Sequence, residues 1–177
     1  MNKSRHEIQK HNHELLATLT ERVGDIVDHQ PGACPYALVN FLKNRMLPHA
    51  IGEERHFYPA LENLVKEHGQ ATATMRIDHE YIEGYIDWIE ETVQELETAD
   101  DDEKPQLQTL LERLCLQLEA VLQLHMAKEE RVYLPLFERY LPEQEQAEIL
   151  DRMHKVDEEL PLETGREPLY DHALIVS

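Results

Sequence analysis

One eleven-residue pattern occurs twice in this chain, and the repetition limits its possible folds more than any other feature. His49, Glu53, Glu54, Arg55 and Pro59 recur in the same order and spacing as His125, Glu129, Glu130, Arg131 and Pro135, with an aromatic residue at Phe57 and at Tyr133. Residues four apart share one face of a helix, so each His-x-x-x-Glu pair puts an imidazole and a carboxylate one turn apart on the same side. Such a pair alone carries little information, because a chain with this His and Glu content supplies roughly 1.6 of them by chance. This chain has four, beginning at His49, His79, His125 and His154. The shared context of two of them is the informative part; His154-x-x-x-Glu158 lies outside the repeat and reads as coincidence.

The surroundings of the repeat are helical in pattern, and no segment alternates with period two. A first helix is predicted over Ser4 to Asp28, with Ser4 and Glu7 spaced as a capping box and Pro31-Gly32 as the stop. A second runs from Pro35 to His68, ended by Gly69, with a bend or break expected at Pro48, at Pro59 or at both. A third spans Ala71 to Thr98 on a stripe of Met75, Ile82, Ile86, Ile89 and Val93. After the acidic loop 99–104, Pro105 opens a fourth that extends to Tyr140. A short fifth, Glu143 to Val156, precedes an acidic tail. Four long helices on short connections predict an all-α, antiparallel up-down-up-down four-helix bundle with a short extra C-terminal helix. At 177 residues and 41% hydrophobic content, the chain suits one domain, taken as 1–156, with 157–177 as the tail.

The formal charge of -19 disfavours nucleic acid and anionic membranes, which need a basic face. No run of eighteen apolar residues and no apolar leader segment is present, so a cytoplasmic setting is expected. Cys34 and Cys115 offer neither a disulfide framework nor a Cys-x-x-Cys motif. Paired imidazoles and carboxylates on facing helices can instead bracket one or two cations, and mixed nitrogen and oxygen ligation suits iron, manganese or zinc better than magnesium or calcium. His49, Glu53, His125 and Glu129 are the leading ligand candidates. On the third helix His79 lies at the edge of the apolar stripe. On the first, His13 has Leu16, Thr20 and Val23 at the matching offsets, with His11 as the alternative. Glu83 reads equally as a further ligand or a solvated carboxylate. Glu54 and Glu130 fall one position off the ligand face and read as surface or supporting groups. Phe57, Trp88 and Tyr133 read as core.

These residues resemble the hemerythrin-like, or HHE cation-binding, family. The resemblance covers roughly Ile8 to Tyr140 and rests on His13, His49-x-x-x-Glu53, Asp78-His79-Glu80 and His125-x-x-x-Glu129-Glu130 with Pro135. It implies two non-haem iron ions, bridged by carboxylates corresponding to Glu53 and Glu129 and completed by histidines. Members of the family bind oxygen, sense oxygen or iron, respond to nitric oxide or peroxide, or help repair iron-sulfur clusters. Oxygen-carrying hemerythrins have His-x-x-x-His on the third helix, where this chain has Glu83, and an Asp five residues after the fourth-helix His, where it has Glu129 at four. Both departures argue against stable reversible oxygen carriage. Ferritin-like proteins use Glu-x-x-His twice; Glu53 to His56 fits once, but Val132 stands at the second position. The expected function is binding or sensing of oxygen, nitric oxide or redox and iron status. Alternatives are an enzyme reducing peroxide or nitric oxide or supplying iron for cluster repair, and iron storage. Any signalling would need a separate partner protein.

Overall fold

The computed structural model describes residues 3–65 and 72–159. Among them there is no strand, and five helices follow one another as the sequence predicts. These are α1 (Lys3–Val27), α2 (35–65), α3 (Ala73–Thr98), α4 (104–140) and α5 (Glu143–Glu159). The first four form the bundle, and α5 lies against the middle of α2. The predicted end of α2 at His68 and Gly69, and the acidic tail from 160 onward, lie outside the described residues. None of the described helices is long and apolar enough to cross a membrane.

The boundaries follow from local chemistry. α1 begins at Lys3, one residue ahead of the Ser4 read as its cap. Its end comes before Pro31-Gly32. The His29 N–H bonds to the Ile26 carbonyl and the Gln30 N–H to the Asp25 carbonyl, with His29 in the left-handed region at φ 50°. This is the Schellman arrangement, with a histidine where glycine is usual. Gly32, at φ 94°, then turns the chain toward Pro35, the first residue of α2, behind the extended Cys34.

α2 and α4 run through their internal prolines without a break. A proline cannot donate a backbone hydrogen bond, and its ring crowds the carbonyl four residues back. Each proline is preceded by a widened π turn: Leu42–Met46 before Pro48, Glu53–Phe57 before Pro59 and Glu129–Tyr133 before Pro135. Leu47, Tyr58 and Leu134 donate to the carbonyls five residues back, of Leu42, Glu53 and Glu129. The widening relieves the proline ring and inserts one extra residue into the coil. Two of the three widened turns begin at the repeat's glutamates.

The apolar interior falls into two clusters. Leu15, Leu19 and Val23 of α1 pack with Leu38, Leu42 and Met46 of α2, Ile82, Ile86 and Ile89 of α3, and Leu114, Leu118 and Leu122 of α4. At the other end Ile8, Phe57, Tyr58, Leu61, Met75, Phe137, Ile149 and Met153 form the second. Between the clusters in chain register lies a set of buried polar residues: Asn12, His49, Glu53, His79, Glu83, His125 and Glu129. α5 completes the second cluster because Gly52 lets it come close. A Cβ at Gly52 would stand 3.3 Å from the Met153 carbonyl oxygen and 3.4 Å from its Cα.

Two glycines inside helices should therefore respond oppositely to a side chain. Gly24 has nothing within 4 Å of its Cβ position, so Gly24→Ala should stabilise by about 0.5–1 kcal/mol through backbone entropy. Gly52→Leu must push α5 away and should cost about 1–3 kcal/mol. Chemical denaturation of the two variants checks this; a Gly52→Leu protein as stable as wild type would show that α5 is not packed at this point.

Candidate metal centre

The buried polar residues converge through their ring nitrogens and carboxylate oxygens. His79 Nε2 lies 3.1 Å from His125 Nε2 and 3.2 Å from Glu53 Oε2. His125 Nε2 is 3.6 Å from the same oxygen and 3.5 Å from Glu129 Oε1. His49 Nε2 is 3.2 Å from Glu53 Oε1. Ligand atoms about 2.0–2.2 Å from one cation stand roughly 2.8–3.6 Å apart on a tetrahedron or octahedron. The spacing therefore fits a metal, and the donor set of imidazoles and carboxylates fits a transition metal. Two groupings can hold a cation: Glu53 with His79 and His125, and His49 with Glu53 and Glu129. Glu53 belongs to both.

The outward nitrogens of two imidazoles are fixed by carboxylates. His79 Nδ1 lies 2.9 Å from Glu54 Oε1 and His125 Nδ1 3.2 Å from Asp78 Oδ2. With a proton on each Nδ1, each Nε2 presents its lone pair inward, as a ligand must. Arg76 holds Glu54 at 2.8 Å and Lys128 holds Asp78 at 2.6 Å. The Arg76 and His79 contacts outweigh partial burial and hold the Glu54 carboxyl below its ordinary value. Asp78 is likewise lowered, by His125 and Lys128 acting against burial.

Two further side chains touch the centre. Asn12 of α1 donates from Nδ2 to Glu129 Oε2 at 2.7 Å. The Tyr58 hydroxyl stands 3.1 Å from Glu129 Oε1 and 3.3 Å from Glu53 Oε2, and 3.4 and 3.5 Å from the Nε2 atoms of His79 and His125. Residues five apart in an α-helix diverge by about 140°. The π turn from Glu53 is what brings Tyr58 under Glu53.

Glu53 and Glu129 are 1% and 0% exposed. Burial opposes charge on Glu53, but the His49 charge and hydrogen bonds from His125, His49 and His79 hold its carboxyl well below the ordinary range. Burial and the Glu53 charge push Glu129 upward, against the pull of His125. Burial also works against a charged His125, and Glu129 and Asp78 overcome it, raising that imidazole well above its ordinary value. Burial, then Glu53 and Glu129, keep the Tyr58 phenol protonated. A bound cation would take over the compensation that shared protons otherwise supply.

Of the residues singled out in the sequence, His49, Glu53, His79, His125 and Glu129 come together. Glu83 is buried on α3, one turn beyond His79, and belongs to neither metal grouping. The exception is His13. Its side chain is 65% exposed and its Nε2 meets Glu130 at 2.6 Å, outside the layer. His11 takes the inward position, with its ring 4.9 Å from that of His49. The buried stripe of α1 is Ile8, Asn12, Leu15, Leu19, Val23 and Ile26; one turn back from Leu15 are residues 11 and 12, whereas 13 points away. His154, read as coincidence, lies across from His11, ring to ring at 6.1 Å. Tyr58, Asn12 and Asp78 were not identified as site residues from the sequence. His56 is half-buried and outside both groupings.

The family model described as Hemerythrin HHE cation binding domain matches the chain twice, over residues 5–115 and 71–161. Residues 71–115 serve in both matches, as expected when the α1–α2 and α3–α4 hairpins carry the same pattern. No curated protein and no solved structure matches the chain.

The His11 imidazole has its pKa lowered from 6.5 to about 4 by burial and by His49, His154 and Arg45. The unfolded chain therefore takes up a proton here before the folded one does, and stability falls as pH drops from about 6.5 to about 4. Metal-free wild type should lose more thermal stability between pH 7 and pH 5 than metal-free His11→Gln. Equal losses in thermal melts would show that His11 titrates as it does in water.

Proposed function

The chain belongs to the hemerythrin HHE cation-binding family, and from that premise we propose that it holds two non-haem iron ions and uses them to bind or sense oxygen, nitric oxide or the redox and iron status of its surroundings. The observation that carries the two-metal reading is the sharing of Glu53 between the two groupings. Glu129 supports it, with one oxygen near His125 and a place in the His49 grouping. His11 and His49 would complete one iron, His79 and His125 the other, with Glu53 and Glu129 between them. Iron bound there supplies one-electron redox chemistry and a coordination position for a small ligand.

The chain's own residues shape that chemistry. Glu54 and Asp78 orient the two inner imidazoles and raise their basicity. Asn12 fixes the rotation of Glu129. The apolar clusters on both sides exclude water, which strengthens every charge interaction within. Glu83 would add negative charge nearby, favouring the more highly charged ferric state.

A second reading is favoured by Tyr58. A phenol that keeps its proton at the meeting point of both carboxylates can donate it to a ligand being reduced. A hydroxyl placed beside both carboxylates is one element of a site that reduces peroxide or nitric oxide.

Anaerobic loading with ferrous ion should give close to two irons per chain, with most lost in Glu53→Ala and Glu129→Ala. Chelation should lower the melting temperature of wild type, and that gap should largely vanish in Glu53→Ala. One zinc per chain, or no iron after reconstitution, would overturn the reading. Tyr58→Phe separates the two functions: unchanged iron with peroxide turnover reduced by about 10²-fold or more makes the protein an enzyme, while a loaded wild type that turns over neither peroxide nor nitric oxide is a binder or sensor.

A further inference from the structure

The polar layer has two unlike sides. Toward α3 and α4, the Nδ1 atoms of His79 and His125 are occupied by Glu54 and Asp78, and Arg76 and Lys128 close over those carboxylates. The carboxylates on that side are already engaged by cationic side chains, with Arg76 also holding Glu62 at 2.6 Å. Toward α1, α2 and α5 lies a small cavity of about 10 Å³, room for roughly one water, lined by Ile8, His11, His49, Leu150, Met153 and His154.

Three imidazoles run along this cavity in order of depth. His154 is exposed, His11 half-buried and His49 buried. The His11 Nε2 is buried and makes no hydrogen bond among the described residues. His49 Nε2 ends the series at 3.2 Å from Glu53. Two imidazoles bound to one metal at about 2.1 Å place their ring centroids roughly 4.5–5.5 Å apart. The His11 to His49 distance of 4.9 Å suits a shared cation. The His11 to His154 distance of 6.1 Å is too wide for tight sharing, yet an exposed side chain can close it by rotation. The apolar residues between them make a poor path for a fully hydrated ion, so water must be exchanged for nitrogen ligands step by step. Imidazoles do this for first-row transition metals and not for magnesium or calcium.

We propose that His154, His11 and His49 form the loading route through which a divalent transition-metal cation reaches Glu53 and Glu129, with His154 as the receiving ligand at the solvent end and not a ligand of the filled centre. The proposal rests on the two-metal reading above. It assigns α5 a purpose: Gly52 brings α5 close enough for His154 to stand over His11.

The test measures uptake of ferrous ion by metal-free full-length protein under anaerobic stopped-flow, with metal content determined after long equilibration. His154 is exposed, so His154→Ala should fold and melt as wild type does. It should reach the wild-type metal content at an initial rate lower by on the order of tenfold or more, and His154→Cys, which puts a thiolate metal ligand in place of the imidazole, should recover part of the rate. Equal rates at full content overturn the loading route alone. A final content reduced to that of His49→Ala makes His154 a ligand of the centre and also overturns it. Failure of the wild type to take up iron at all overturns the two-metal reading together with this proposal.

Discussion

Two carboxylates with almost no contact with solvent set the terms for everything around them. Moving Glu53 and Glu129 out of water costs several kcal/mol each unless opposite charge or hydrogen bonds replace the lost hydration. The bundle meets that cost with donors from four directions. Asn12 comes from α1, His49 and Tyr58 from α2, His79 from α3 and His125 from α4. None of these could reach the carboxylates from a fold with different helix depths. The apolar clusters on either side act in the opposite sense, holding the layer dry so that its charges interact strongly. The polar layer fixes the relative depth of the helices, and the apolar clusters hold the helices at it.

Much of this was legible from one chain. Helix-spaced apolar residues gave the all-α bundle, and the repeated pattern gave both ligand-bearing turns with their histidines and glutamates. What escaped did so for identifiable reasons. His13 heads a stripe through Leu16 and Thr20, but the face of α1 that enters the core runs through Leu15, Leu19 and Ile26, in line with His11; two overlapping apolar arcs on one helix leave that choice open. Tyr58 stands five residues from Glu53, off-face in an ideal helix; the signal that could have revealed it was Pro59, since a proline inside a continuing helix forces a local change of pitch. Asp78 and Glu54 meet imidazoles on other helices. Pairings of that kind depend on helix rotation, which a sequence does not encode locally.

The repeat is also less symmetric in space than in sequence. Tyr58 corresponds to Leu134, and both are buried, but only one carries a hydroxyl to the centre. Glu54 holds His79 while its counterpart Glu130 meets His13 on the surface. Gly52 admits α5, whereas Lys128 at the equivalent position ties down Asp78. A duplicated hairpin has thus acquired two different flanks, one electrostatically closed and one lined with imidazoles.

The widened turns give chain length a meaning that composition lacks. Each is an α-helical turn with one residue too many, so removing a residue between Glu53 and Phe57 would leave an uninterrupted helix of ordinary pitch. Tyr58 would then stand four residues from Glu53 and stay on its face, whereas straightening the turn with all its residues kept would rotate every side chain beyond it by about 100°, carrying the tyrosine hydroxyl away from the carboxylates and Phe57 off the core. The helix content would hardly change while the centre came apart. For this protein the loss of the wide turn is a larger chemical event than most substitutions, because the turn stores the registry between the ligand-bearing half of α2 and the half that closes over it.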